Sequence, residues 1–265
     1  MRSLLCFLWL LCLSLAGLAQ SDAVQAAYEQ RQFRNEAGDS LLYRWLAPDS
    51  LLSGVRYPLV IFLHGAGERG SDNTAQLKHV LPRLAESPRR EQFPTYVFAP
   101  QCPDSQRWSN GVFDEKTRNY LLTDTMSQPL TLSMQALGAF LQRYPIDTTR
   151  IYVVGLSMGG AGVWELAFRY PDLFAAAVPI CGFADQRFAE RITHLPTWVF
   201  HGADDEVVPA AYSRQIVVAL RMAGGSPVYT EFPGVGHESW GPAFSNLPFV
   251  YDWLFAQRKR RSGAR

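Results

Sequence analysis

The chain of 265 residues is poor in the features that would mark several classes of protein. It has four cysteines, and only Cys102 and Cys181 lie beyond residue 12, so a disulfide-stapled framework is excluded. The histidines and cysteines do not show zinc spacing, and no metal or other cofactor is expected. No segment is rich enough in Gly, Ser or Pro to read as a linker, and no repeat of fixed period appears. Beyond the N-terminus no apolar run is long enough to cross a bilayer. Basic residues are not clustered on the body of the chain. Five of the 25 (Arg258, Lys259, Arg260, Arg261 and Arg265) fall in the last eight positions, which leaves 20 basic against 24 acidic residues elsewhere. A nucleic-acid surface needs clustered cations on the fold, so that class of partner is excluded.

The N-terminal stretch MRSLLCFLWLLCLSLAGLAQ carries one basic residue, an apolar run from Leu4 to Leu15, and small residues up to Ala19. That layout predicts a secretory signal peptide over residues 1–19, cleaved near Ala19, and hence a secreted or periplasmic protein. The run falls short of the ~20 residues that span a bilayer, so no stable membrane anchor is expected. Residues 258–265 are expected to form a basic, disordered tail. One domain is expected between them, over residues 20–257.

Within that domain, continuously apolar runs alternate with helical patterns. The runs are Pro58–Gly65, Thr95–Pro100, Arg150–Gly155, Phe174–Gly182, Pro196–Gly202 and Val228–Gly234. Runs without polar alternation mark parallel strands buried on both faces. Helices are predicted over Thr74–Glu86, Thr131–Arg143, Gly159–Arg169, Ala210–Ala223 and Leu247–Gln257, and a starting hairpin over Gln30–Arg34 and Leu41–Leu46. The pattern predicts an α/β fold: a mostly parallel, doubly wound sheet with helices on both faces. Cys102 and Cys181 are expected at the ends of strands separated by two others, too far apart for a disulfide. The longest irregular stretch, Cys102–Gln128, is expected to be functional. Only Gly182–Leu195 separates two late strands, too short for a large cap domain.

The strand Ile151–Val154 runs into G-x-S-x-G at Gly155–Gly159, and a helix follows. A serine there sits on a sharp strand-to-helix turn that exposes its hydroxyl, the nucleophile elbow. Ser157 is therefore the candidate nucleophile, and the Met158 N–H, at a helix start, a candidate oxyanion donor. A serine needs a base. Of five histidines, His237 in GVGHESW lies in a loop after the last strand, where a base can be aimed. His64 and His201 precede glycines at strand ends, where packing or hydrogen bonding is the expected role, and His79 and His194 are expected to face solvent or a loop. The base needs a carboxylate, and PTWVFHGADDEVVP supplies Asp204 and Asp205. The order Ser, Asp, His then follows the chain. Glycines in HGAGERG, after the Pro58–Gly65 strand, allow a close backbone approach, and the Ala66 N–H is the second oxyanion candidate. Trp108, Phe183 and Trp240 flank these motifs and are candidate substrate contacts, Trp108 foremost.

With these pieces in place, the sequence resembles α/β-hydrolases. More narrowly, it is similar to secreted bacterial esterases of the polyhydroxybutyrate-depolymerase-like and feruloyl-esterase-like group, also called predicted peptidases of the prolyl-oligopeptidase type. The resemblance rests on LHGAGERGSDN (Leu63–Asn73), APQCP (Ala99–Pro103) with Trp108 beyond, GLSMGGAGVWELA (Gly155–Ala167), HGADDEVVP (His201–Pro209) and GHESW (Gly236–Trp240). It implies a carboxylic-ester hydrolase acting through Ser157, Asp205 and His237 on a small or polymer-linked ester. Asp205 is preferred to Asp204 because those esterases show D-x-x-V-P, and Pro209 suits a first helical turn. A serine peptidase and a non-catalytic binding module on the same fold are the alternatives.

Overall fold

The structure is a computed structural model that describes residues 22–117, 119–245 and 249–259. The predicted signal peptide and its cleavage site thus lie outside the described residues. Eight strands form one sheet in the order β1-β2-β4-β3-β7-β8-β9-β10. They are β1 (Glu29–Arg34), β2 (Ser40–Leu46), β3 (Tyr57–Leu63), β4 (Tyr96–Pro100), β7 (Ile146–Leu156), β8 (Ala176–Ile180), β9 (Trp198–Gly202) and β10 (Val228–Phe232). A separate two-stranded hairpin joins β5 (Gly111–Phe113) to β6 (Tyr120–Leu122). β1 and β2 pair antiparallel with their neighbours, and the strands from β4 to β10 run parallel. This is the mostly parallel α/β sheet that the apolar runs predict.

The runs are unbroken because alternate residues enter two different cores. On β3, Leu59, Ile61 and Leu63 join one core while Val60 and Phe62 join the other. β7 repeats this with Ile151 and Val153 against Tyr152 and Val154. A strand with helices on both faces has no side left for polar residues. The first face is covered by α4 (Gln128–Arg143), α5 (Met158–Arg169) and α6 (Ala211–Met222); the second by α2 (Leu81–Ala85), α7 (Trp240–Ser245) and α8 (Phe249–Ala256). A short helix α1 (residues 22–27) precedes β1, and α3 (Ser87–Gln92) follows α2. Each large core side chain is worth about 3–5 kcal/mol against truncation to alanine; Phe62, Phe98 and Phe168 are of this kind.

Three sequence expectations are revised. The single helix expected over Thr74–Glu86 is a 3-10 turn at Ala75–Leu77 and the one-turn α2, divided at His79, whose φ is +66°. A left-handed residue cannot continue a helix, and periodicity does not report φ. The stretch Cys102–Gln128 is not structureless, since it contains the β5–β6 hairpin. The tail is not free from its first residue: Arg258 reaches Asp147 at 3.3 Å, and the Lys259 backbone N–H and ammonium donate to Thr149 O and Asp172 O. Between β8 and β9 stands a single 3-10 helix, Gln186–Ile192. Cys102 and Cys181 are buried free thiols at the ends of β4 and β8, with β3 and β7 between them. Among the described residues no helix is long and apolar enough to cross a membrane.

Candidate active site

Ser157 lies between β7 and α5 with φ 53° and ψ −117°, a strained conformation for a residue with a side chain. Its N–H donates to Ile180 O at 2.8 Å and its carbonyl accepts from Ala161 N at 3.1 Å, so β8 and α5 hold the strained turn in place. Bulk is excluded around it. A Cβ on Gly159 would lie 1.9 Å from Leu63 O, so only glycine lets α5 start against the end of β3.

His237 comes from the loop after β10. That loop crosses the end of β9 so closely that a Cβ on Gly202 would lie 2.1 Å from Gly236 O. The crossing carries the imidazole to the serine: the Ser157 hydroxyl donates to His237 Nε2 at 2.9 Å, and His237 Nδ1 donates to Asp205 Oδ2 at 2.7 Å. Asp205 is buried, and its other oxygen accepts the N–H groups of Val207 and Val208 at 2.9 and 2.8 Å. Asp204 is exposed, and its backbone N–H donates to Val235 O. The structure thus brings Ser157, Asp205 and His237 into one hydrogen-bonded line and leaves the Asp204 side chain outside it.

Two further histidines are built into the support. His201 Nε2 donates to Val208 O at 2.8 Å and lies 3.2 Å from Asp205 Oδ2, while its Nδ1 accepts from the Ser213 hydroxyl at 2.7 Å. Burial lowers its pKa, keeping the ring neutral. His64 is buried too: Nδ1 donates to Gly65 O at 2.6 Å and Nε2 accepts from Cys102 N at 2.9 Å. Burial pushes its pKa down to about 4. It ties the loop after β3 to the loop after β4.

Ala66 opens a 3-10 turn, Ala66–Glu68, one residue beyond Gly65. A Cβ on Gly65 would stand 3.7 Å from Ser157 Cβ, which sets this turn beside Ser157. Met158, the first residue of α5, flanks the serine on the other side. Both expected oxyanion donors therefore belong to backbone next to Ser157.

The three aromatic candidates separate. Trp108 is fully buried, and its indole N–H donates to His64 O at 3.0 Å. Its Cβ fills the space left by Gly162 on α5, where an added Cβ would come within 2.7 Å. It is a core residue that buttresses the loop after β3, not an exposed contact. Arg107 beside it is exposed, so an irregular stretch can still send one side chain into the core. Trp240 stands edge-on to His237, with ring centres 5.5 Å apart, and also meets His79 at 5.1 Å. Phe183, three residues beyond Ile180, packs with Phe113 and Tyr120 of the hairpin.

Two residues here were not placed near the candidate triad by the sequence. Glu68 is buried, with Oε1 3.2 Å from His79 Nε2. Burial alone would raise its pKa, but the hydrogen bond to His79 and the charge of that ring overcome it and hold the carboxyl below its ordinary range. The contact depends on the chain reversal at His79, which leaves no periodic signal. The second is Cys181, with φ 40°. Its sulfur, an Asp205 oxygen and a His237 nitrogen lie within 4.8 Å of one another. Burial pushes the thiol up to about 12, and the other two groups already bond each other, so the cluster is a poor match to a metal's need for deprotonated, available ligands.

Residues 97–245, more than half of the chain, match the family model described as the dienelactone hydrolase family. A solved structure described as a thermostable esterase is 37% identical, with a TM-score of 0.81 over 89% of this chain; the match covers 64% of that longer chain. Lysophospholipase-like protein 1 of Mus musculus is 27% identical over 68% of this chain and 79% of its own length. Poly(3-hydroxyalkanoate) depolymerase C of Paucimonas lemoignei is 26% identical over 72% of this chain and 42% of its own.

Proposed function

Because the chain belongs to the dienelactone hydrolase family, we propose that it is a serine esterase in which Ser157, His237 and Asp205 form the catalytic triad. The observation that carries this reading is the hydrogen-bonded line from Ser157 Oγ through His237 to a buried, fully bonded Asp205. His237 Nε2 takes the hydroxyl proton as Ser157 Oγ attacks the ester carbonyl. Charge gathers on the carbonyl oxygen, where the Ala66 and Met158 N–H groups would receive it. As the intermediate collapses, His237 protonates the leaving alcohol and an acyl-enzyme remains. Water, deprotonated by His237, then releases the acid and restores the serine. Asp205 stays ionised and fixes the imidazole tautomer.

Similarity to an esterase and to a polyester depolymerase supports esters as substrates, free or attached to a polymer. The N-terminal apolar run supports export, where polymer-linked esters are within reach.

A serine-reactive phosphonate is expected to label the protein at Ser157, and Ser157→Ala to lower ester hydrolysis by about 10³-fold or more while thermal unfolding stays cooperative. A variant with a tenth of wild-type activity would reject the assignment. Comparing aryl esters with aminoacyl amides tests it against a peptidase, which would favour the amides.

A further inference from the structure

The β5–β6 hairpin has no part in the triad, yet it is fixed beside it. At its base, Ser109 Oγ and Asn110 N both donate to Glu165 Oε2 at 2.8 Å, and the Tyr120 hydroxyl donates to Ser109 Oγ at 2.8 Å. Glu165 is a fully buried carboxylate on α5, the helix that begins at the elbow. It is also bonded by Arg169, which in turn donates to Thr123 O and Asp124 O just past β6. A second buried carboxylate, Asp185 in the loop after β8, accepts the Leu122 N–H at 2.8 Å. Gln186 adds a bond to Asn119 at 3.0 Å. The hairpin is therefore tied to both elements that hold Ser157. Buried, fully bonded carboxylates are costly to release, so these ties describe a wall and not a moving lid.

The wall carries an exposed ring that joins two others. Phe113 is 47% exposed and touches both Phe183 and Tyr212, at ring centres 5.0 and 5.5 Å. Phe183 and Tyr212 are themselves 6.4 Å apart and edge-on. Each is placed by a catalytic loop. Phe183 follows Gly182, which lies so close to the first turn of α5 that an added Cβ would stand 2.7 Å from Gly160 C, three residues past Ser157. Tyr212 stands in the first turn of α6, directly after the loop that carries Asp205. Tilted rings at these separations offer the edge-to-face geometry in which a further flat ring is bound best. Aliphatic side chains would fill the same surface without that preference.

We propose that the hairpin is a fixed wall of the substrate pocket and that Phe113, Phe183 and Tyr212 receive an aromatic group carried by the ester. The proposal rests on Ser157 being the nucleophile.

The test is pH-stat hydrolysis by the full-length protein of two ester pairs. Methyl phenylacetate against methyl acetate places the ring on the acid; benzyl acetate against ethyl acetate places it on the alcohol. In at least one pair the ring should raise kcat/KM about tenfold or more. Phe113→Ala should remove most of that preference, Phe113→Leu should not restore it, and Phe113→Tyr should. Taking each ratio relative to wild type cancels the intrinsic reactivity of the esters. Phosphonate titration of Ser157 is run on every variant. Absence of labelling in the wild type would defeat the esterase reading itself. Normal labelling without an aromatic preference, or with the preference unchanged in Phe113→Ala or restored by Phe113→Leu, would overturn the wall.

Discussion

At the scale of single residues, burial decides between two adjacent aspartates. Asp205 is enclosed and aims one oxygen at His237, while Asp204 is in solvent. Asp205→Asn should leave the fold intact but present an amide where His237 needs a carboxylate. The imidazole then settles in the wrong tautomer, at a cost of about 10⁴-fold in turnover. Asp204→Asn should cost less than about tenfold, because its side chain has no bond to the imidazole. Steady-state kinetics on the two variants checks this, and a larger loss at Asp204 would reverse the assignment. The choice was legible in sequence only through the resemblance and the spacing to Pro209. Two neighbouring aspartates have the same composition and periodicity, and only the loop's path buries one of them. The same limit explains Trp108. A tryptophan in an irregular stretch suggested a contact, but its N–H was already committed to His64 O in the core.

At the scale of elements, the elbow depends on how closely α5 approaches β3. Gly159→Ala would place a methyl 1.9 Å from Leu63 O, against rigid backbone on both sides. The helix must retreat, taking Ser157 out of reach of His237. We expect loss of activity together with destabilisation of about 3 kcal/mol or more, in the range of overpacked or strained core sites. Urea unfolding and phosphonate labelling check both effects; a stable, fully labelled variant would contradict the close approach. The G-x-S-x-G pattern, with a strand before and a helix after, made this element readable in advance. The β5–β6 hairpin was not readable. Its strands are three residues each, and it is held by Glu165, 55 and 56 positions from Asn110 and Ser109, and by Asp185, 63 positions from Leu122.

For the whole molecule, two buried histidines make stability depend on pH. His64, held neutral by burial, has its pKa at about 4, against about 6.5 when the chain is unfolded. Between those values the unfolded chain binds a proton that the native state refuses, so stability falls as pH drops from about 6.5 towards 4. The contribution, on the order of 3 kcal/mol, is fully present above pH 6.5. His201 acts in the same direction. Asp147 and Glu231, held at about 2 by their bonded partners, lose their contribution only at lower pH. Urea unfolding at pH 7, 5.5 and 4.5 should show a steady decline, flatter in His64→Gln even where that variant is weaker at pH 7. A wild-type stability constant across this range would contradict the account.

The sequence by itself determined the layered α/β architecture, because strands buried on two faces must be apolar without interruption, and that pattern is local. It also determined where the sharp strand-to-helix turn at Ser157 stands and in what order the candidate triad residues follow, since both are written in short motifs. Tertiary structure decided the rest. It chose which aspartate meets His237, sent Trp108 inward, paired Glu68 with His79 and fastened the β5–β6 hairpin to α5 and to the loop after β8. Each of these depends on burial or on contacts between segments far apart in the chain, and neither leaves a period or a spacing in the sequence.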